Sequence, residues 1–293
     1  MTRGERVALR GHVRRALPYS LVFHCVPLDD LDGRWLKGKD LRDLVSQILE
    51  ASYPDDAKQV GSVGVSSFTV SPFFAKRCSS HRGGYSGGKS SRSRVEMIRA
   101  GTPCRFRLTL LDDKDFEAVV SLIEDPTVVL SVSGKSLTVT HVLSRPSQSD
   151  PWPCSQTYRK LFDEASSTCK VVRLQFVTPT TFISPAGSLP LPDPQRVFRG
   201  FLKSWSRFAL TPLSADMKEL IDHHVCLREF RISSINYDSG EGIIASFTGW
   251  GQFALEGRHH EKHIREFNIL AGFSFYCGTG DRTEIGMGVT RRL

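Results

Sequence analysis

The stretch Gly272–Gly288, GFSFYCGTGDRTEIGMG, sets Gly278, Gly280, Gly286 and Gly288 around Arg282. Closely spaced glycines let a backbone approach a phosphate and aim successive N–H groups at it. A tight turn with β-bulges uses the same spacing. A dinucleotide fingerprint is excluded, because this stretch follows a predicted helix and precedes a predicted strand, the reverse of what that fold needs. A second group is cationic. Arg196, Arg199, Lys203 and Arg207 fall at offsets 0, 3, 7 and 11 of a helical period, opposite Val197, Phe198, Phe201, Leu202, Trp205 and Phe208. No acid interrupts that stripe within the helix, so its self-repulsion must be tolerated, which a polyanion's phosphates explain better than solvation does. A third group is the segment 77–95, with Arg77, His81, Arg82, Lys89, Arg92 and Arg94 among serines and glycines. It reads as a flexible basic loop, either simply solvated or laid against a polyanion, with Tyr85 as a ring able to stack.

Other chemistry is poorly supplied. His24 lies within a predicted strand on the same face as Val22 and reads as structural, with a cleft-facing position open to it. His259 and His263 have i, i+4 spacing beside His260, but a metal site there lacks a well-placed carboxylate or thiolate. No GxSxG, HExxH or Walker sequence is present. The seven cysteines are scattered, without zinc-knuckle spacing, and read as thiols in a reducing compartment. No metal and no cofactor are expected.

The elements that must carry these groups follow from periodicity. Leu17–Val26 alternates as a strand, and Gly38–Ala51 turns helical, with Leu41, Leu44, Val45, Ile48 and Leu49 on one face and Lys39, Arg42, Asp43 and Ser46 on the other. Strands around Ser67–Ala75 and at Cys104–Leu111, a helix over Asp112–Glu124 and a hairpin over Thr127–Leu143 complete the first half. Pro146–Pro153, PSQSDPWP, reads as a boundary with little to bury, and Ser155–Ser166 as a linking helix. The order then restarts: a strand at Lys170–Val177, helices over Gln195–Leu210 and Ser214–His224, strands at Cys226–Asn236 and Gly242–Thr248, a helix over Glu261–Gly272 and a last strand. The expected fold is α+β, with two tandem ferredoxin-like (RRM-like) domains and a C-terminal glycine-rich loop. The expected division is 1–145, a linker and helix over 146–168, and 169–293.

The chain has 293 residues, net charge +8 and 40% hydrophobic residues, room for two cores and a balance that suits a polyanionic partner. The apolar run Leu21–Val26 is too short to cross a bilayer and has no small-residue cleavage site, so a soluble cytoplasmic protein is expected, without membrane attachment.

The terminal FSFYCGTGDRTEIGMGVTR resembles the C-terminal glycine-rich signature of the CRISPR repeat-RNA endoribonucleases of the RAMP superfamily. Phe247-Thr-Gly-Trp250, Val177-Thr-Pro-Thr-Thr-Phe182, Leu17-Pro-Tyr-Ser-Leu-Val and Phe68-Thr-Val-Ser-Pro72 are similar to the same family, so the likeness runs from about residue 17 to 291, most strongly in the second half. The resemblance implies two ferredoxin-like domains facing each other across an RNA-binding cleft. It also implies metal-independent cleavage by attack of the ribose 2′-OH, leaving a 2′,3′-cyclic phosphate and a 5′-hydroxyl. The implied partner is CRISPR repeat RNA, with subunits of an effector complex as a second candidate and a monomer or homodimer as the expected state.

Many relatives carry a catalytic histidine on the first helix in a Gly-x-x-Leu-His stretch. Here that stretch is Gly38-Lys-Asp-Leu41-Arg42, with arginine in histidine's place. Arginine is no ordinary base, yet it can hold a scissile phosphate bidentately. Lys39 shares its helical face, and the competing reading of both is a solvated surface. Arg42, Lys39, Lys203 and Arg207 are therefore the expected catalytic cations. Arg77, Lys89, Arg92, Arg94, Arg196, Arg199, Gly278, Gly280, Arg282, Gly286 and Gly288 are the expected RNA contacts. The competing functions are a non-catalytic RNA-binding subunit of the same superfamily, favoured by the missing histidine, and a small-molecule phosphate enzyme, which lacks the strand-to-helix context.

Overall fold

The structure, a computed structural model, describes residues 18–32, 38–50, 66–75, 97–124, 128–148 and 150–293. The first half contains β1 (Tyr19–Pro27), β2 (Leu31–Asp32), α1 (Gly38–Glu50), β3 (Phe68–Val70), β4 (Phe74–Ala75), β5 (Met97–Ile98), β6 (Cys104–Leu110), α2 (Asp113–Glu124), β7 (Val129–Val132) and β8 (Lys135–Leu143). Its main sheet runs β3-β6-β1-β8-β7 with antiparallel neighbours, and β2 and β5 form a separate ribbon. The alternation in β1 decides which face is which: Tyr19, Leu21, Phe23 and Cys25 join Leu41, Leu44, Val45 and Ile48 of α1 in one core. Ser20, Val22 and His24 point to the other face of the sheet, as a period of two requires.

The second half contains β10 (Val171–Thr180), β11 (Phe182–Ser184), β12 (Gly187–Leu189), α4 (Pro194–Phe208), α5 (Met217–His224), β13 (Val225–Asp238), β14 (Ile243–Leu255), α6 (Glu261–Cys277), a 3₁₀ turn (Thr283–Ile285) and β15 (Thr290–Arg292). The sheet order is β13-β14-β10-β15. Each half thus places its four main strands in the ferredoxin-like order 2-3-1-4, with two helices on one face, as the order of elements predicts. Phe198, Phe201 and Trp205 of α4 pack with Phe267, Leu270 and Phe273 of α6 in the second core.

Two departures from the sequence reading matter for the site. The segment between the halves holds the expected linking helix as α3 (Tyr158–Glu164), capped by Thr157 Oγ1 accepting from Lys160 N at 2.8 Å, and adds an unexpected strand, β9 (Cys154–Ser155), which pairs with β1 at Tyr19↔Ser155 and Ser20↔Cys154. Asp150 within it is 5% exposed and ion-paired with Arg105 of β6, so a residue that looked solvated is buried against a partner 45 positions away. The last helix also runs past Gly272 to Cys277, because Phe273, Ser274, Tyr276 and Cys277 are buried and that burial outweighs one glycine's helix penalty. Among the described residues no helix is long and apolar enough to cross a membrane.

Candidate functional site

The core face of α1 is filled by its apolar residues, which leaves Lys39 exposed and Arg42 half-buried on the outer side. The helix start rests on the glycine-rich loop of the other half. A Cβ on Gly38 would stand 2.9 Å from Ile285 Cβ, and one on Gly286, whose φ is +90°, would stand 2.6 Å from Leu41 Cδ1. Each element thus approaches the other through a glycine, closer than any side chain would allow. A third segment, the turn between β13 and β14, closes the arrangement. Lys39 N–H donates to Ser239 O at 2.9 Å, and Tyr237 Oη donates to Ile285 O.

Two cations meet one anion at this junction. Arg42 Nη2 is 3.4 Å from Glu241 Oε1, and Arg282 Nη1 is 3.9 Å from Glu241 Oε2. The side chains are 26%, 39% and 56% exposed for Arg42, Arg282 and Glu241, so the cluster faces solvent. Guanidinium groups that share the two oxygens of a carboxylate have the geometry to share the two non-bridging oxygens of a phosphodiester. The structure therefore brings Arg42, Lys39 and Arg282 to one place from two halves of the chain.

The glycines serve the loop's own fold more than the sequence suggested. Gly278 N donates to Ser274 O at 3.0 Å and caps α6, Gly288 N donates to Pro179 O at 2.8 Å, and Thr279 N donates to Gly288 O at 2.8 Å. A Cβ on Gly280 (φ +82°) would stand 2.2 Å from Thr181 O. The expected row of amides aimed at a phosphate does not form at Gly278 and Gly288. Both are buried, and buried backbone donors must find partners within the protein.

The cationic stripe is carried by a different element. Arg196, Arg199, Lys203 and Arg207 are exposed along α4, whose other face packs against α5, α6 and β13. The stripe has one neutralised member, since Asp222 of α5 pairs with Arg199; the acid comes from the next helix, where periodicity within one helix does not look. Arg207 sits over the Phe208 ring at 5.4 Å. Among the described residues no hydrogen bond or ion pair joins Lys203 or Arg207 to α1 or the glycine-rich loop. Arg77, Lys89, Arg92 and Arg94, with His81 and Tyr85, lie outside the described residues.

The seam between the halves depends on residues that the sequence did not single out. Arg107 is 4% exposed; its Nε donates to Ser20 Oγ at 2.7 Å and its Nη2 to Phe275 O at 2.6 Å. Its guanidinium lies over the rings of Phe275 and Trp152, at 4.2 and 5.2 Å. Burial pulls its pKa down, and the hydrogen bonds and ring faces offset part of that penalty. Thr109 Oγ1 donates to Tyr276 O at 2.7 Å beside it. These bonds hold the end of α6, and so the start of the glycine-rich loop, on the open face of the first sheet. Alternation along Cys104–Leu110 is the one signal that could have found Arg107, since it marks Arg105, Arg107 and Thr109 as facing away from the core. On the same face His24 stacks on His141, with centroids 4.2 Å apart. Burial, His141 and Arg105 lower the His24 pKa, in that order. His263 Nε2 meets Asp216 Oδ2 at 3.1 Å and His259 Nε2 meets Glu256 O at 2.5 Å. Among the described residues no group of three His, Cys, Asp or Glu side chains is placed to hold a metal.

Residues 17–163 match the family model of the CRISPR Cas6 N-terminal domain, and residues 174–290 match that of the CRISPR-associated endoribonuclease Cas6. Two curated relatives, each a CRISPR-associated endoribonuclease Cas6 from Mycobacterium tuberculosis (strains CDC 1551 / Oshkosh and ATCC 25618 / H37Rv), are 25% identical over 202 residues. That match covers 68% of this chain and 62% of theirs, so the chain spans less than two thirds of their length. Among solved structures, a product complex of a Thermus thermophilus Cas6 superposes with a TM-score of 0.75 at 23% identity, covering 95% of this chain and 100% of that one. A second Cas6 product complex gives 0.71 at 21%, covering 94% and 99%. A Cas6-related protein from Pyrococcus furiosus gives 0.55 at 14%, covering 94% and 98%. At these identities the structural likenesses establish the fold.

Proposed function

Because the chain belongs to the Cas6 family of CRISPR-associated endoribonucleases, we propose that it cleaves CRISPR repeat RNA to mature guide RNA. The ribose 2′-oxygen attacks the adjacent phosphodiester, leaving a 2′,3′-cyclic phosphate and a 5′-hydroxyl. The observation that carries this reading is the convergence of Arg42 and Arg282 on the two oxygens of one exposed carboxylate. A scissile phosphate placed there gains two guanidiniums on its non-bridging oxygens, where charge builds as the phosphorane forms. Lys39, exposed on the same face of α1, adds a third cation. Alignment of the 2′-oxygen with the leaving oxygen is the remaining need, and a junction clamped by α1, the loop and a hairpin turn suits it.

Binding of the rest of the RNA falls to Arg196, Arg199, Lys203 and Arg207 and to the basic segment containing Arg77, Lys89, Arg92 and Arg94. The packing of α4 favours Lys203 and Arg207 as contacts to flanking phosphates over contacts at the cut. Two of the solved relatives are product complexes and one is a substrate mimic complex, which suits an RNA ligand here. Subunits of an effector complex are the further partners in this reading, with the protein a monomer or homodimer in the cytoplasm and its halves dividing near 145 and 169.

A second reading, an RNA-binding subunit without activity, draws on Arg42 standing where a histidine is expected. One experiment separates the two. Purified protein is incubated with labelled repeat RNA in EDTA, beside RNA with a 2′-deoxy sugar at the cut. Cleavage in chelator that stops with the deoxy sugar supports the enzyme, and tight binding without cleavage of either RNA supports the subunit.

A further inference from the structure

We propose that the Glu241 carboxylate is the proton acceptor for the attacking 2′-hydroxyl, an inference that rests on the function proposed above. The reaction releases a proton from the 2′-oxygen, and the guanidinium of Arg42 does not take it at ordinary pH. The described histidines are placed elsewhere. His24 and His141 stack on β1 and β8, while His223, His224, His259, His260 and His263 gather where α5 and the start of α6 meet. His12 and His81 lie outside the described residues.

Glu241 is different in position. Its backbone N–H donates to Ser239 Oγ at 3.2 Å, and Ser239 O accepts from Lys39 N at 2.9 Å, so the turn that carries it is tied to α1. Its carboxylate lies 3.4 and 3.9 Å from the two cations, long contacts in a cluster that faces solvent, which contribute little and exchange readily. A phosphodiester that takes over the two guanidiniums leaves the carboxylate beside it. The 2′-hydroxyl is on the sugar attached to that phosphate, so it falls within reach of Glu241. Further titratable groups on these elements include Lys39, Asp40, Arg42 and Asp43 of α1, Asp281, Arg282 and Glu284 of the loop, and Tyr237 and Asp238 of the hairpin.

The step balances. The 2′-O–H proton moves to a Glu241 oxygen as the 2′-oxygen forms its bond to phosphorus. The bond from phosphorus to the 5′-oxygen breaks, its electron pair stays on that oxygen, and the oxygen takes a proton from water. Glu241 then returns its proton to solvent. No oxidant, reductant or co-reactant is needed.

The test compares wild type with Glu241→Gln, which keeps the shape and removes the acceptor. Single-turnover cleavage of repeat RNA is followed from roughly pH 6 to 8, and affinity for the 2′-deoxy RNA reports folding and binding. The expected result is a rate at neutral pH lower by about 10²-fold or more, with deoxy-RNA affinity unchanged or tighter. The variant's residual rate should climb with pH as hydroxide takes over. A Gln variant within about threefold of wild type, or faster, overturns the assignment and makes Glu241 only a counter-ion that RNA displaces. Wild-type protein that binds but never cuts would instead overturn the proposed function itself, so the two failures are distinguishable.

Discussion

Arg42 of α1 and Glu241 of the β13–β14 turn are 199 positions apart in the chain and 3.4 Å apart in space. Arg282 reaches the same carboxylate from the glycine-rich loop, so three segments remote in sequence form one charged cluster at the junction of the halves. The pair orients Arg42 in the free protein without burying it, and the guanidinium stays available to a stronger anion.

Arg42→Ala is accordingly expected to lower the single-turnover cleavage rate by about 10²–10³-fold, the loss typical of one preorganised charge-stabilising donor. Arg42→Lys should fall between, keeping charge but losing the bidentate fork. A rate for Arg42→Ala within about threefold of wild type would remove Arg42 from the catalytic group.

The glycines make a paired prediction about stability. Gly280→Ala puts a Cβ 2.2 Å from Thr181 O at a φ of +82° and should destabilise the fold by at least about 1–3 kcal/mol. Gly200 sits within α4 with nothing within 4 Å of a built Cβ. Gly200→Ala should therefore stabilise by about 0.5–1 kcal/mol through helix propensity alone. Urea midpoints of the two variants, read against wild type, should move in opposite directions.

Along α4 the cations are not equivalent. Arg196→Ala or Lys203→Ala should each reduce the slope of log affinity against log salt by about 1, as loss of one phosphate contact does. Arg199→Ala should change it less, because Asp222 already holds that guanidinium. Equal slopes for all three variants would show that RNA breaks the Arg199–Asp222 pair without penalty.

His24 gives the fold a pH dependence of known sign. Its pKa in the folded protein is lowered from 6.5 by burial, His141 and Arg105, so the unfolded chain binds the proton more readily. Stability is full above about pH 6.5 and is lost as pH falls below it. The urea midpoint should drop between about pH 7.5 and pH 5.5, and His24→Gln should flatten that change.

Much of the architecture was legible in the residues, because it rests on local period. Alternation in Leu17–Val26 and the apolar stripe of α1 predict their elements and their buried faces, and β1 and α1 lie where they were expected. The end of α6 was not legible, since Gly272 reads as a stop until the partners that bury Phe273 and Tyr276 are known. Asp150 misled for the same reason: nothing near it in sequence announces Arg105. Glu241, in a polar Ser-Gly-Glu-Gly turn, carries no local signal of any kind.

The glycine-rich signature is a sequence property, and with the shorter matches along the chain it points to the family; the cationic stripe and the arginine at position 42 are sequence properties too. Which cations share a site was decided only by tertiary structure. Gly38 and Gly286 let α1 and the loop approach to within a side chain's width, and that contact places Arg42 beside Arg282, while α4, which carries Lys203 and Arg207, packs against α5, α6 and β13. The reason is physical. Periodicity reports the direction of a side chain relative to its own element, whereas a charge cluster is made by the packing of elements that no local pattern relates.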